Sequence, residues 1–82
     1  MANNDDSARL RELADALDCI TEADLQLLAD YTDITIEAKR RRGKSPPFLR
    51  FGNRIFYPRD RVRAYLHALV KEPTPPPIKD AL

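Results

Sequence analysis

The chain has 82 residues, with 14 lysines and arginines against 13 aspartates and glutamates, for a net charge of +1. At this length we expect one small domain with a single hydrophobic core. Its first residues are polar and acidic, unlike a signal peptide, and no apolar run approaches the ~20 residues of a membrane helix. We therefore expect a soluble, cytoplasmic protein that makes no contact with a membrane.

Few residues in the sequence could carry catalysis. There is one histidine and one cysteine, Cys19, so an internal disulfide is excluded and a reducing compartment is favoured. The sequence has no glycine-rich phosphate loop and no metal-ligand spacing. We therefore expect no enzyme, no metal and no cofactor.

The charges are segregated along the chain. Residues 1–37 contain ten acidic and two basic residues, whereas residues 38–82 contain twelve basic and three acidic residues. A clustered basic half is typical of a protein that binds a polyanion. The alternative is an ordinary solvated surface of mixed charge.

The N-terminal part is predicted to form one helix. We expect residues 1–7 to be a disordered N-terminus and residues 8–19 to be an amphipathic helix with Ser7 as its N-cap. Its apolar stripe has helical spacing: Leu10, Leu13, Ala14 and Leu17. We expect this helix to pack on the domain, and the alternative is a helix for self-association or for a partner.

Two short helices joined by a tight turn come next. Thr21 is the predicted N-cap of a helix over about residues 22–29, and Thr32 is the predicted N-cap of a second helix. The second helix is expected to end near Arg42, where Gly43 supplies the stop. This pattern predicts a helix-turn-helix, whose second helix ends in a basic run.

A β-hairpin and a last helix are predicted after a proline-rich connector. Residues 48–51 and 54–57 are two aromatic and branched runs, separated by the two-residue turn Gly52-Asn53 with glycine first. A helix is expected over about residues 59–70. Residues 71–82 are expected to be a flexible, proline-rich tail, or else a docking peptide.

The predicted core draws on the three central helices. Each contributes apolar residues at helical spacing, namely Leu25, Leu28 and Ala29, then Ile36, then Val62, Tyr65, Leu66 and Leu69.

Residues 20–70 resemble the MerR-like winged helix-turn-helix of phage and plasmid excisionases. The resemblance rests on Ile20-Thr21-Glu22-Ala23-Asp24-Leu25, Leu28, Lys39-Arg40-Arg41-Arg42-Gly43, Pro46-Pro47-Phe48, Gly52-Asn53-Arg54-Ile55-Phe56-Tyr57, Asp60-Arg61-Val62 and Tyr65-Leu66. It implies a mainly α fold with a small β-hairpin, preceded here by the extra N-terminal helix. The second helix of the motif would enter the major groove of DNA and the hairpin, or wing, would enter the minor groove.

The resemblance also implies a function. It implies a sequence-specific DNA-binding protein, an excisionase-like accessory factor that binds and bends double-stranded DNA to control site-specific recombination. Such proteins bind DNA in adjacent copies, and an integrase is a candidate partner for the C-terminal tail. A small phage or plasmid transcriptional regulator is the alternative. A protein-interaction module that uses acidic helices is the alternative of another class.

The candidate DNA-contacting residues form two sets. The recognition-helix set is Thr32, Ile34, Thr35, Glu37, Lys39, Arg40, Arg41 and Arg42. The wing and its flanks supply Lys44, Arg50, Asn53, Arg54, Arg59 and Arg61. We expect the basic side chains to contact phosphates or the minor groove, and Ile34, Thr35 and Glu37 to lie nearest the bases, where a carboxylate can accept from cytosine N4.

Overall fold

A computed structural model describes residues 3–73. Over this range the chain forms four helices and three strands, in the order α1 (Asn3–Ala16), β1 (Cys19–Thr21), α2 (Glu22–Ala29), α3 (Asp33–Arg41), β2 (Leu49–Phe51), β3 (Arg54–Pro58) and α4 (Arg59–Ala68). Most of the predicted proline-rich tail lies outside the described residues. None of the helices in the described range has the length and apolar character needed to span a membrane.

The strands form one antiparallel sheet with β3 in the centre, between β1 and β2. The predicted hairpin is therefore correct but incomplete, because Ile20 of β1 pairs with Tyr57 on the other edge of β3. A strand of three residues is too short to show the alternation by which strands are recognised in a sequence. The third strand gives the hairpin the support that an isolated pair of strands lacks.

The hairpin turn has the predicted form. Phe51 pairs with Arg54, so the turn contains only Gly52 and Asn53. Gly52 has φ of 63°, while Asn53 does not have a positive φ. A positive φ at the first turn residue alone is the Gly-first geometry that suits the twist of a hairpin.

The predicted N-caps of α2 and α3 are both confirmed. Thr21 Oγ1 accepts the N–H of Asp24 at 3.1 Å, and Thr32 Oγ1 accepts the N–H of Thr35 at 3.1 Å. The turn between α2 and α3 contains Asp30 in the left-handed region, with φ of 58°. Aspartate is among the few non-glycine residues that adopt this conformation.

Helix α1 differs from the prediction at both ends. It begins at Asn3, inside the segment that is expected to be disordered. It ends at Ala16, since Asp18 adopts the left-handed conformation with φ of 59° and turns the chain into β1. Of its predicted stripe, Ala14 is buried whereas Leu13 and Leu17 are exposed.

The core lies between the sheet and helices α2, α3 and α4. It consists of Leu25, Ile36, Tyr57 and Val62, which are all buried. The predictions for Leu25, Ile36 and Val62 are confirmed. Four other predicted core residues are exposed, so those predictions are wrong: Leu28, Ala29, Leu66 and Leu69. No element in residues 3–73 covers their side of the domain.

Candidate nucleic-acid interface

A groove of about 300 Å³ lies between the start of α2 and the β2–β3 hairpin. Arg40 of α3 and the hairpin residues Arg50, Asn53 and Arg54 line it. The fold therefore brings members of the two predicted sets together, although they come from separate parts of the sequence.

Arg40 links the elements that border this groove. Its Nη1 atom pairs with the carboxylate of Glu22 and donates to the hydroxyl of Tyr57 at 3.2 Å. Tyr57 also donates to Glu22 Oε1 at 3.4 Å. The three side chains join α2, α3 and β3 at one point.

An aromatic contact extends the same cluster. The Arg40 guanidinium lies over the ring of Phe48, 5.8 Å from its centroid. The rings of Phe48 and Tyr57 are 6.1 Å apart and tilted by 53°. Such aromatic and cation–π contacts add to burial in fixing the geometry. Phe48 links the connector before β2 to this cluster.

The pKa values of two members of this cluster, Arg40 and Tyr57, are raised. Burial opposes the charge on Arg40, but the Tyr57 hydrogen bond and the nearby Glu22 charge outweigh it, so the pKa of Arg40 is raised. Burial raises the pKa of Tyr57, and the charge of Glu22 adds to this against the opposing Arg40 hydrogen bond. At neutral pH the cluster therefore contains a charged arginine and a neutral phenol.

Arg40 was predicted to contact DNA, and the structure gives it a different position. Its side chain is only 12% exposed. The reason is that an arginine with an ionised partner and a further hydrogen bond can be largely buried, although its place in a basic run suggests exposure. Arg40 therefore positions α3 within the protein, and its contact with DNA stays a prediction.

Arg59 also pairs with acidic side chains of the same chain. Its guanidinium pairs with Asp15, and Nη1 lies 3.7 Å from Asp18 Oδ1. Its backbone N–H donates to the carbonyl of Asp18 at 2.8 Å. These contacts join α1 to the start of α4 and give Arg59 a structural role, while its contact with DNA stays a prediction.

The remaining basic residues of the two sets are more open. Five of them have exposed side chains and no acidic partner among residues 6–73: Arg42, Lys44, Arg50, Arg54 and Arg61. Arg41 pairs with Glu37 at 3.7 Å, but both side chains are more than 60% exposed. Lys39 is half-buried over the ring of Tyr31, 5.7 Å from its centroid.

The start of α3 presents polar and apolar groups to solvent. Ile34 is 79% exposed, and Thr32 and Glu37 are exposed as well. Thr35 is half-buried, and its Oγ1 accepts from the hydroxyl of Thr32 at 3.0 Å. Ile34 is therefore the freest of the three side chains that we expected nearest the bases, since Glu37 pairs with Arg41.

Gln26 is a connecting residue that sequence reasoning missed. Its Nε2 donates to Asp33 Oδ1 at 2.8 Å and to the Tyr31 carbonyl at 3.3 Å. It thereby ties α2 to the first turn of α3 and engages one of the acidic groups near the candidate interface. A glutamine on a helix surface carries no sequence signal for such a role.

Comparison of this chain with protein-family models, with curated proteins and with solved structures finds no match.

Proposed function

We propose that the protein binds double-stranded DNA sequence-specifically, with α3 in the major groove and the β2–β3 hairpin along the minor groove. One observation carries this proposal. The groove beside α2 is lined by Arg40 of α3 and by the hairpin residues Arg50, Asn53 and Arg54. In sequence, exposed basic residues without an acidic partner among residues 6–73 follow from the end of α3 into the hairpin. Cations in this arrangement suit the phosphates on either side of a DNA groove.

The attachment of α3 to α2 supports the same proposal. Thr32 caps α3, and Gln26 and Arg40 attach both ends of that helix to α2. A recognition helix must be held rigidly to place its side chains against base edges. Ile34, at the exposed start of α3, can contact the thymine methyl group, which lies in the major groove.

Within this function, we propose an excisionase-like accessory factor that bends DNA to control site-specific recombination. The support is the sequence resemblance over residues 20–70. A small transcriptional regulator requires the same groove-reading domain and is the alternative. An accessory factor is expected to bind direct repeats and to bend them, whereas a dimeric regulator favours a palindrome.

The protein-interaction alternative relies on acidic surfaces, and much of that acidic charge is engaged internally. Glu22 pairs with Arg40, Asp15 with Arg59, and Asp24 with Arg11 at 3.2 Å. Acidic groups on α3 are also occupied, Asp33 by Gln26 and Glu37 by Arg41. The exposed basic side chains therefore favour a polyanionic partner over a basic one.

The test is a gel shift of the purified chain on fragments that flank its own gene, at two salt concentrations. We expect salt-sensitive shifted bands that excess unrelated DNA does not remove. A ladder of bands would favour several adjacent copies. If the protein shifts no fragment at low salt, DNA binding is wrong, and the next test is capture by a basic protein partner.

A further inference from the structure

The hairpin carries an aromatic side chain in an unusual place. Phe51 is the last residue of β2, directly before the turn, and is 75% exposed. A phenylalanine in a small domain is ordinarily drawn into the core, since its burial contributes about 1.5–3 kcal/mol. Here the core contains Tyr57 of the neighbouring strand, while Phe51 stays in solvent.

The side chains directly before Phe51 in the strand and directly across the hairpin from it are both cationic. Arg54 lies directly across the hairpin from it, and Arg50 precedes it. Both arginines are exposed and have no acidic partner among residues 6–73, and Asn53 lies in the turn between the strands. Leu49 alternates with Arg50, shares the face of Phe51 and is 41% exposed. An apolar tip thus lies among basic side chains.

We propose that Phe51 is an apolar wedge that enters the DNA minor groove and partly unstacks a base step, while Arg50 and Arg54 bind the phosphates beside it. This inference rests on the proposed DNA-binding function. Apolar wedges of this kind kink DNA, and flexible pyrimidine–purine steps such as TA accept them at the lowest cost. The bend would then arise from a single residue of the hairpin.

Charge decides between DNA and a second copy of the chain as the occupant of this tip. A symmetric pairing of two β2 edges would bring Arg50 of both copies together, and like charges opposed across an interface are destabilising. Strand β2 has only three residues, so it offers little of the ~800 Å² per partner in a stable interface. The DNA backbone supplies the negative charge that both arginines lack.

The wedge is tested on A/T-rich duplexes of about 30 base pairs that contain TA steps, with 2-aminopurine in place of adenine at those steps. One readout is 2-aminopurine fluorescence, which rises on unstacking, and another is energy transfer between end labels, which reports bending. The variants are Phe51→Ala, Phe51→Leu and Arg54→Ala. Leu17→Ala is the matched control, because Leu17 is 72% exposed and precedes β1, whose Cys19 pairs with Pro58 at the end of β3 away from the turn.

We expect Phe51→Ala to abolish the fluorescence rise and most of the bend, and to weaken binding about 5- to 100-fold. Its salt dependence should stay unchanged, because no charge is removed. Phe51→Leu should retain most of the bend, since leucine also serves as a wedge. Arg54→Ala should instead lower the salt slope by about one, and Leu17→Ala should resemble the wild type.

The outcomes separate the wedge from the function on which it rests. If the wild type binds with a steep salt slope but Phe51→Ala binds and bends the DNA equally, only the wedge is wrong. If the wild type does not bind these duplexes or the flanking fragments, the proposed function fails as well. If Phe51→Ala changes only the association state of the free protein in sedimentation, Phe51 belongs to a self-association surface and the wedge is overturned.

Discussion

Arg40 and Glu22 form an ion pair that joins the C-terminal part of α3 to the first residue of α2. The same guanidinium donates to Tyr57 of β3 at 3.2 Å. One side chain therefore fixes α3 relative to the sheet from which the hairpin extends. In the proposed function, DNA binding by both elements at once would depend on that fixed relationship.

Arg40→Ala should lower the free energy of unfolding by about 1–3 kcal/mol, because Glu22 and Tyr57 lose a partner in a partly buried site. Arg40→Lys should recover only part of this, since an ammonium group lacks the arginine fork. Urea unfolding followed by circular dichroism measures both. The matched control is Arg41→Ala, whose exposed pair should contribute less than about 1 kcal/mol. Equal losses at the two positions would contradict the structural role of Arg40.

Tyr57 should make stability fall at alkaline pH. Its raised pKa means that the unfolded chain releases the phenol proton near pH 10, while the folded chain retains it to higher pH. Between these values the unfolded state binds fewer protons, so stability decreases as pH rises. Tyr57→Phe should be less stable at pH 7 and should lose less stability above pH 10. Parallel stability curves for the two proteins would exclude this linkage.

The left-handed conformation of Asp30 offers a test of the turn between α2 and α3. Asp30→Gly should leave stability unchanged or raise it by up to about 1 kcal/mol, because glycine adopts this conformation without strain. Asp30→Val should lower it by about 1–2 kcal/mol. As a control, Ala23→Gly at an exposed position of α2 should lower stability by about 0.5–1 kcal/mol. Thermal unfolding ranks the three, and a destabilising Asp30→Gly would show that the turn is not left-handed at that residue.

The features that sequence reasoning predicts here are the local ones. Thr21 and Thr32 are recognisable caps because each bonds a backbone N–H three residues later. The Gly52-Asn53 turn is recognisable because glycine reaches its φ without strain. These signals position α2, α3 and the hairpin without any knowledge of tertiary structure.

The features that the sequence does not predict depend on residues far apart in the chain. Cys19 pairs with Pro58, and no local pattern in a three-residue strand predicts that pairing. Arg40 belongs to a run of four basic residues, and only the folded chain shows that this one is buried against Glu22. The same holds for Arg59, whose acidic partners lie at the end of α1.

Ile34 should contribute to sequence preference rather than to overall affinity. Ile34 is 79% exposed on α3 and uncharged. Ile34→Ala should therefore reduce the free-energy difference between specific and nonspecific binding by about 1–3 kcal/mol per lost base contact. Its salt slope and stability should match the wild type. Leu27→Ala, at an 80% exposed residue of α2, is the control. Fluorescence anisotropy on cognate and scrambled duplexes measures the ratio, and an unchanged ratio would remove Ile34 from the base-reading set.

The most direct test of DNA binding is the slope of log K against log salt concentration for the wild-type protein on duplex DNA. Five exposed basic residues at phosphates predict a slope of about −4.5, and Arg42→Ala, Lys44→Ala and Arg54→Ala should each reduce its magnitude by about one. Arg9→Ala, which breaks an exposed pair with Glu12 on α1, should leave the slope unchanged. A flat line, or equal effects of Arg9→Ala and Arg54→Ala, would contradict the proposal that α3 and the hairpin form a DNA-binding surface.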